Sequence, residues 1–276
     1  MYDTFQTDRL IDLWLTEDIG TCDLTAQLMI DEDATGTFHM NAREPMVIAG
    51  IDVAARLFVR YDPALTVEKF VKDGDAVEQG TRMLTVSGPA RSILTAERPA
   101  LNILQRLCGI ATETARYNAE IAGTGARLID TRKTTPGLRM LEKHAVSCGG
   151  GLNHRLGLDN GVMLKDNHIA IAGSIAKAVA RAKLKVPVLT KIEVECDRLE
   201  QVKEALEAQA DVIMLDNMSI DAMKEAVAYV AGRAKLEASG GIRIDTIRQV
   251  ALTGVDYIST SKITQSAPAV DIGLDD

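Results

Sequence analysis

The feature that most constrains this 276-residue chain is a regular alternation of short apolar runs and helical patterns that begins near Gly109. Each strand–helix unit takes roughly 20 to 35 residues, which is the spacing of parallel βα repeats. No G-x-G-x-x-G sequence follows the first run, so the pattern favours a barrel over a dinucleotide-binding fold. The runs that predict strands are 126–129, 161–164, 189–192, 211–215, 235–236 and 255–258.

Polar or glycine-rich segments follow all of these predicted strands. In a βα barrel the carboxyl ends of the strands lie at one mouth, where active sites are found. The sequence therefore predicts one pocket built from distant positions. An alternative stays open, namely that strand ends are polar simply because they meet solvent. The segments are 130–133, 165–168, 193–195, 216–217, 237–241 and 259–262.

The chain before Gly109 follows a different pattern. Alternating residues and Gly-containing turns predict strands at 37–42 and 83–86, as in a small α+β domain. Thr95 is predicted to cap a helix that has Pro99 in its first turn. We therefore predict an N-terminal α+β domain over 1–108 and a barrel over 109–266, with a tail of about 267–276 packed back on the first domain.

Composition excludes several classes of protein. A net charge of -8 and 4% aromatic residues argue against nucleic-acid binding, which needs a basic surface and stacking side chains. No apolar run approaches the roughly 20 residues that span a bilayer, and no secretion signal is evident. The four cysteines form no C-x-x-C pair, which predicts reduced thiols rather than disulfides or a zinc site. We expect a cytoplasmic protein without nucleic-acid or membrane partners.

Several basic residues are predicted to gather near the mouth of the barrel. In an acidic protein such a cluster creates a local positive potential that attracts anions. Arginine binds carboxylate or phosphate through paired N–H bonds, so the group suits a ligand with more than one anionic group. The alternative is a salt-bridge network with Asp130, Glu142 and Asp166. The basic residues are Arg132, Lys133, Arg139, His154, Arg155 and Lys165.

Two carboxylates end consecutive predicted strands, at Glu195 and Asp216. Such oxygen ligands hold Mg²⁺, and they also stabilise a positively charged, sugar-like transition state. The alternative role is to pair with neighbouring lysines. Glu193 is predicted to point away from the lumen and to pack or support the site.

Two glycine-rich or hydroxyl-rich loops follow the last predicted strands. Ser239-Gly240-Gly241 and Thr260-Ser261-Lys262 stand where βα barrels usually cradle phosphate, because glycine lets backbone N–H groups approach the ligand. His168 is predicted to orient the loop that carries Lys165. His144, within a helical pattern, is expected to be exposed.

Taken together, several strings resemble quinolinate phosphoribosyltransferase (decarboxylating), also called nicotinate-nucleotide pyrophosphorylase. The resemblance covers nearly the whole chain in the order of that family. Its most specific strings are DTRKTTPG at 130–137 and GGGLNHR at 149–155. The others are EDIG at 17–20 with DLT at 23–25, TAERPALN at 95–102, KDNH at 165–168, LDN at 215–217 and SGG at 239–241.

The resemblance implies an N-terminal α/β sandwich domain and an incomplete (open) α/β barrel, paired in a homodimer with shared active sites. It implies a reaction that joins quinolinate to the ribose of phosphoribosyl pyrophosphate with Mg²⁺. Pyrophosphate and CO₂ are released, and nicotinate mononucleotide is formed for NAD synthesis.

The resemblance also implies a role for each candidate residue. Arg98 would reach the partner's site and surround the quinolinate carboxylates together with Arg132, His154, Arg155 and Lys165. Lys133 and Lys165 would face the pyrophosphate, Glu195 and Asp216 the ribose and the metal, and the two late loops the 5′-phosphate. The implied catalytic residues are Lys133, Lys165, Glu195 and Asp216, and Thr131 joins the substrate-binding set.

One segment departs from the family. Many members end the last barrel loop in a glycine-containing segment followed by Thr-His, whereas this chain has Ser261-Lys262-Ile263-Thr264-Gln265. Three alternatives to the main interpretation remain. They are a ModD-like relative that acts on another acid, a Schiff-base aldolase that uses Lys165, and a non-catalytic anion-binding barrel.

Overall fold

The computed structural model describes residues 3–276, which divide into two compact units. The first unit runs to Ala115 and includes Thr135–Gly150 and Ala267–Asp276, and the second comprises Arg116–Thr134 and Gly151–Ser266. Residues 135–150 thus lie in the first unit, although the sequence-based division grouped them with the barrel. The boundary near residue 108 stays a prediction.

The secondary structure contains ten helices and twelve strands within residues 3–276. The helices are α1 (Thr4–Ile19), α2 (Leu24–Met29), α3 (Ile51–Tyr61), α4 (Ala90–Glu120), α5 (Arg139–Cys148), α6 (Asp166–Ala172), α7 (Ile175–Lys183), α8 (Leu199–Glu207), α9 (Ile220–Val230) and α10 (Ile247–Ala251). The strands are β1 (Thr35–Ala42), β2 (Met46–Val47), β3 (Thr66–Lys69), β4 (Ala76–Val77), β5 (Arg82–Pro89), β6 (Arg127–Ile129), β7 (Val162–Leu164), β8 (Ile192–Cys196), β9 (Val212–Asp216), β10 (Lys235–Ser239), β11 (Tyr257–Ser259) and β12 (Ile272–Asp275).

The first unit is built on a four-stranded antiparallel sheet in the order β12-β1-β5-β3. Met40 and Leu84 pair across β1 and β5 and are fully buried, in a core that also takes Leu57 and Phe58 from α3. Burial of such aliphatic and aromatic side chains is the main driving force for packing the helix on the sheet. The C-terminal strand β12 pairs with β1, for example Leu274 with Met40, so the tail is part of this sheet.

The long helix α4 differs from its predicted form. It begins at Ala90 and has Pro99 in its interior, so the prediction of a helix start at Thr95 is wrong. Ile93 and Ala96 are fully buried, which favours helix over an exposed loop in this segment. The Thr95 hydroxyl donates to the carbonyl of Arg91 at 2.8 Å, as in a helix interior, instead of capping a new helix.

The second unit is the incomplete α/β barrel that the sequence predicts. Its six parallel strands lie in the order β6-β11-β10-β9-β8-β7, with β6 and β7 at the two edges of the sheet. Helices between the strands cover the sheet with their apolar faces, as α8 does with Val202, Ala205 and Leu206. None of the helices within residues 3–276 is both long and apolar enough to cross a membrane.

Strand register brings the carboxyl ends of the barrel strands level with one another. Ser239 at the end of β10 lies beside Asp216 at the end of β9, and Glu195 of β8 lies beside Met214. Because side chains alternate between the two faces of a strand, every second residue of each strand points into the barrel. The polar strand ends therefore meet at one edge.

One glycine makes a testable packing contact in the first unit. A Cβ added at Gly109 would lie 2.0 Å from the carbonyl oxygen of Pro268, a backbone atom that cannot move aside. We expect Gly109→Ala to reduce the free energy of unfolding by about 1–3 kcal/mol and to lower the Tm by several degrees. Calorimetry should show no such change for Gly125→Ala, because a Cβ at Gly125 meets nothing within 4 Å. Equal Tm values for the two variants would contradict this packing.

Candidate active site

The carboxyl ends of the barrel strands enclose a cavity of about 520 Å³. All of the residues to which the family resemblance assigns a role line it, with the exception of Arg98. They are Thr131, Arg132, Lys133, His154, Arg155, Lys165, Glu195, Asp216, Ser239, Gly240, Gly241, Thr260, Ser261 and Lys262. Most of them follow the ends of the six barrel strands, as the barrel topology predicts, whereas His154 and Arg155 lie in the loop between α5 and β7.

Two predicted basic residues do not line this cavity, whose walls lie entirely in the second unit. Arg98 lies on α4 and has a half-exposed side chain, whose Nη2 is 3.9 Å from Oε1 of Glu97. Arg139 is the first residue of α5 in the first unit. Arg139 is not among the residues that line the cavity, and its place in the basic cluster stays a prediction.

A buried carboxylate fixes the segment that carries two of the basic side chains. Asp130, fully buried at the end of β6, accepts from the Asn153 side-chain amide at 2.9 Å and from the backbone N–H of His154 at 2.8 Å. A carboxylate that accepts several such bonds in a buried place is held strongly. Asp130 thus acts on the site through His154 and Arg155, by fixing the backbone between them.

The imidazole of His154 lies between two buried carboxylates. Its Nε2 is 2.9 Å from Oε2 of Glu193 and 3.4 Å from Oε2 of Glu237. The prediction that Glu193 points away from the lumen is wrong, because residues two apart on a strand share a face and Glu195 also points into the barrel. Glu193 supports His154 from inside the barrel.

These two carboxylates decide the charge of His154. Burial alone would lower the pKa of the imidazole, but hydrogen bonds to Glu193 and Glu237 raise the pKa to about 9. The backbone N–H of Arg155 donates to Nδ1 at 2.7 Å, a bond that only the neutral ring accepts. Both carboxylates contact Nε2, which carries a proton in either state of the ring, so it is their negative charge that favours the imidazolium. His154 therefore presents a positive charge to the cavity near pH 7.

The charge of His154 can be measured directly. We expect the Cε1–H resonance of His154 to titrate in NMR with a pKa of about 9 in the ligand-free protein. Glu237→Gln should lower that pKa, because it removes an anionic neighbour from the imidazolium. Glu200→Gln, on the exposed first turn of α8, is the matched control and should leave the pKa unchanged. A His154 pKa near 6.5 in the wild type would contradict this electrostatic account.

Lys165 and Glu195 form an ion pair at the mouth. The Lys165 ammonium contacts Oε2 of Glu195, and the Lys165 side chain remains 43% exposed, so it stays accessible from the cavity. Nδ1 of His168 accepts from the backbone N–H of Lys165 at 3.0 Å. The predicted role of His168 in orienting this loop agrees with that contact.

The second carboxylate of the pair, Asp216, stands at the end of β9. Its Oδ2 accepts from the side-chain amide of Asn217 at 2.8 Å, and Asn217 has a positive φ of 54° that turns the chain at this point. Glu195 and Asp216 thus enter the same cavity from adjacent strands, as the sequence predicts. Carboxylate oxygens of this kind are suitable ligands for Mg²⁺.

The loop after β10 requires glycine at Gly240. Its φ is +96°, and an added Cβ would lie 2.2 Å from Oδ1 and 2.8 Å from the backbone nitrogen of Asn217. The backbone can therefore form this part of the cavity wall only without a side chain. In the next loop the Thr260 hydroxyl donates to the carbonyl of Ile242 at 2.9 Å, which ties the two loops together.

Arg155 is placed to receive an anion. Its Nη1 donates to the carbonyl of Gly161 at 3.1 Å, which orients the guanidinium. Burial and the nearby positive charge of Arg132 both lower the pKa of Arg155. An anionic ligand that bound to the two arginines would relieve this repulsion.

The role of Glu237 was not predicted from the sequence. It stood within a segment named as a strand end, but only the register shows that its side chain points inward beside Glu193. The alternation of side chains along β10 could have revealed this role, because Glu237 and Ser239 point to the same face of the strand. Gln265, where many family members have histidine, is exposed, and its backbone N–H donates to Ser261.

Comparisons with known proteins agree with this geometry. The model of the quinolinate phosphoribosyl transferase N-terminal domain matches residues 23–108, and the model of the C-terminal domain of the same family matches residues 110–275. A probable nicotinate-nucleotide pyrophosphorylase (carboxylating) from Synechocystis is 44% identical over 270 residues, which cover 97% of this chain and 91% of that relative.

Two further proteins give the same result. A quinolinate phosphoribosyltransferase (decarboxylating) from Nicotiana glauca is 40% identical over 294 aligned residues, covering 98% of this chain and 82% of that protein. The solved structure of the nicotinate-nucleotide pyrophosphorylase from Francisella tularensis superposes with a TM-score of 0.93 at 39% identity. That match covers 100% of this chain and 97% of the other.

Proposed function

The chain belongs to the quinolinate phosphoribosyl transferase family, and from this premise we propose how its cavity binds quinolinate and phosphoribosyl pyrophosphate. The enzyme transfers the phosphoribosyl group to quinolinate with decarboxylation. The products are nicotinate mononucleotide, pyrophosphate and CO₂, a step of de novo NAD synthesis.

The observation that carries the proposal is the charge pattern of one cavity. Six basic side chains and the carboxylates Glu195 and Asp216 line the same space. Quinolinate carries two carboxylates and phosphoribosyl pyrophosphate carries several phosphate oxygens, so both substrates need such a positively charged site. The basic side chains are Arg132, Lys133, His154, Arg155, Lys165 and Lys262.

We assign the dicarboxylate to the side formed by Arg132, His154 and Arg155. The charged His154 and the paired N–H groups of the arginines suit planar carboxylates. Lys133 and Lys165 would bind the pyrophosphate as point charges. The loops at 239–241 and 260–262, which both line the cavity, would bind the 5′-phosphate through backbone N–H groups.

Glu195 and Asp216 would hold Mg²⁺, directly or through water. Both offer carboxylate oxygens to one cavity, and such oxygen donors fit the metal. Mg²⁺ bound there would neutralise charge on the pyrophosphate. Lys165 already contacts one oxygen of Glu195, so the second oxygen is the one available to a ligand.

The side chains suit both stages of the reaction. In the first, the quinolinate nitrogen bonds to C1 of the ribose as the bond to pyrophosphate breaks, and Glu195 and Asp216 stabilise the oxocarbenium-like charge. The arginines and His154 hold the ring in line with C1. In the second, the bond between ring carbon C2 and its carboxylate carbon breaks, and its electrons are stabilised by the adjacent pyridinium nitrogen. CO₂ leaves, and C2 takes up a proton.

The direct test is an assay with quinolinate and phosphoribosyl pyrophosphate, with nicotinate as the comparison acid. We expect nicotinate mononucleotide and CO₂ from quinolinate, and a much lower rate with nicotinate, which lacks the second carboxylate. Equal rates with both acids, or no product from quinolinate, would contradict the assignment.

The alternative chemistries have less support. A Schiff base would need the Lys165 nitrogen neutral and unpaired, whereas it contacts Glu195. Borohydride trapping of a substrate on Lys165 would support that aldolase, and turnover of quinolinate excludes a merely anion-binding barrel. A ModD-like relative would prefer a different acid in the assay above.

We further propose a homodimer in which Arg98 completes the partner's site. The support is the TAERPALN string at 95–102 and the half-exposed guanidinium of Arg98. A cytoplasmic location also stays a prediction, and the unpaired state of all four cysteines agrees with a reducing compartment.

Mixing of two inactive variants tests the shared site. Arg98→Ala and Lys165→Ala are each expected to be nearly inactive. In a mixed dimer both defects fall in one site and the other site is intact, so random exchange should restore about a quarter of wild-type activity. Mass spectrometry of the intact assembly would verify exchange. No recovery after verified exchange would mean that Arg98 serves its own subunit or none.

A further inference from the structure

A second group of potential ligands lies in the first unit, apart from the cavity. Asp73 lies in the turn between β3 and β4, and His144 and Cys148 stand one helical turn apart on α5. Their ligand atoms all lie within 4.8 Å of one another. The only other such group in residues 3–276, that of His154, Glu193 and Glu237, belongs to the cavity already described.

The three side chains point at a common position. Nε2 of His144 is 2.6 Å from Oδ2 of Asp73 and 3.4 Å from Sγ of Cys148. In a nucleophilic Cys–His–Asp arrangement, the thiol and the carboxylate contact opposite nitrogens of the ring. Here both face the same nitrogen. This arrangement suits a metal centre, in which all ligand atoms point at one ion. It does not suit a proton relay, which needs both ring nitrogens.

The charges of the three side chains fit a divalent cation. A metal ion would replace the thiol proton, and the imidazole would keep its proton on Nδ1 so that Nε2 could bind the metal. The thiolate and the carboxylate would then balance the two charges of a divalent cation, as a half-buried site requires.

The surrounding structure holds the ligands in place. Oδ1 of Asp73 accepts from the backbone N–H groups of Gly50 at 2.8 Å and Ile51 at 3.1 Å, which leaves Oδ2 directed at His144. Such supporting bonds orient ligands in known metal sites. The i, i+4 spacing of His144 and Cys148 puts both on one face of α5.

The two distances from the His144 nitrogen fit a tetrahedral Zn²⁺ ion with a small adjustment. Tetrahedral Zn²⁺ would separate a nitrogen and a sulfur ligand by about 3.5 Å and a nitrogen and an oxygen ligand by about 3.3 Å. The first separation is already present. The second requires Asp73 to move by less than about 1 Å, and the half-buried setting leaves room for water as a fourth ligand.

We propose that Asp73, His144 and Cys148 form a Zn²⁺ site in the first unit, separate from the Mg²⁺ expected in the cavity. Thiolate and imidazole select Zn²⁺ or Co²⁺ over Mg²⁺. The prediction of no zinc site rested on the absence of a C-x-x-C pair, but this site joins one cysteine to residues distant in sequence. His144 is also half-buried, so the prediction that it is exposed is wrong.

The test uses Co²⁺ as a spectroscopic substitute on the full chain after chelator dialysis. Wild type should bind one Co²⁺ with a thiolate-to-metal charge-transfer band in the near ultraviolet, which Zn²⁺ displaces and excess Mg²⁺ does not. Cys148→Ser should lose the band, and Asp73→Asn should weaken Co²⁺ binding at least tenfold. Cys22→Ser, a half-buried cysteine outside the group, is the matched control and should keep the band.

Cadmium NMR on the wild type provides a measurement that needs no variant. One bound Cd²⁺ with a chemical shift typical of a single sulfur ligand with nitrogen and oxygen would agree with the site. Absence of Co²⁺ or Cd²⁺ binding would overturn the proposal. A charge-transfer band that persists in Cys148→Ser would overturn it as well, because the thiolate would then come from another cysteine.

Discussion

Arg155→Ala is expected to lower kcat/KM for quinolinate by about 30- to 1,000-fold. Removing one partner of a buried, hydrogen-bonded charge pair costs about 2–4 kcal/mol, and each 1.4 kcal/mol is a factor of ten. The loss should be large for two reasons. Gly161 already orients the Arg155 guanidinium, and a bound carboxylate would relieve the repulsion between Arg155 and Arg132. Steady-state kinetics with varied quinolinate measures the effect.

Two controls separate lost recognition from lost folding. Arg243→Ala removes an exposed arginine of the same unit that pairs with Asp245, and it should leave kcat/KM within twofold. The KM for phosphoribosyl pyrophosphate should change far less than the KM for quinolinate in Arg155→Ala. Wild-type kcat/KM in Arg155→Ala, or an equal loss in Arg243→Ala, would refute the assignment.

Asp216→Asn is expected to reduce kcat by about 100- to 1,000-fold while the protein stays folded. The substitution keeps the size of the side chain but removes the negative charge that we assign to the oxocarbenium-like ribose and to Mg²⁺. Loss of one preorganised electrostatic contact to a transition state costs about 3–4 kcal/mol. The Mg²⁺ concentration for half-maximal rate should also rise.

The comparison variant for this experiment is Asp221→Asn, at an almost fully exposed carboxylate on the first turn of α9. It changes the net charge of the protein by the same amount. Its kcat and Mg²⁺ dependence should match those of the wild type. If Asp216→Asn behaved in the same way, Asp216 would have no part in the chemistry.

Much of the barrel and its cavity follows from local sequence rules. Most of the predicted strands overlap strands of the barrel, because parallel strands need apolar runs and the barrel gathers their carboxyl ends. The prediction of a strand at 189–192 is wrong, since Leu189 is exposed in a turn and β8 begins at Ile192, so the predicted strand end 193–195 lies within β8. The residue types at those ends indicated an anion site before any distance was known. Asp130 and Glu237 were within the named segments, but their roles depend on contacts with His154 and Asn153 that sequence does not fix.

Two of the failures share a physical cause, namely contacts between residues far apart in sequence. Burial of Ile93 and Ala96 extends α4 past the start that Thr95 predicted. His144 contacts Asp73, which lies 71 positions away, so a helical pattern alone could not reveal its surroundings. Glu193 was a different error, since the alternation along β8 already placed it on the same face as Glu195.

The pairing of β12 with β1 has a consequence for biosynthesis. Arg43 and Asp275, at the two ends of this pairing, are 232 positions apart, and the barrel strands are translated between them. The ribosome therefore produces all six barrel strands before β12 can pair with β1 in the antiparallel sheet. Long-range closure of this kind is slow and leaves a strand edge open to wrong partners. Until β12 has been translated, the edge of β1 that it covers lacks its native partner.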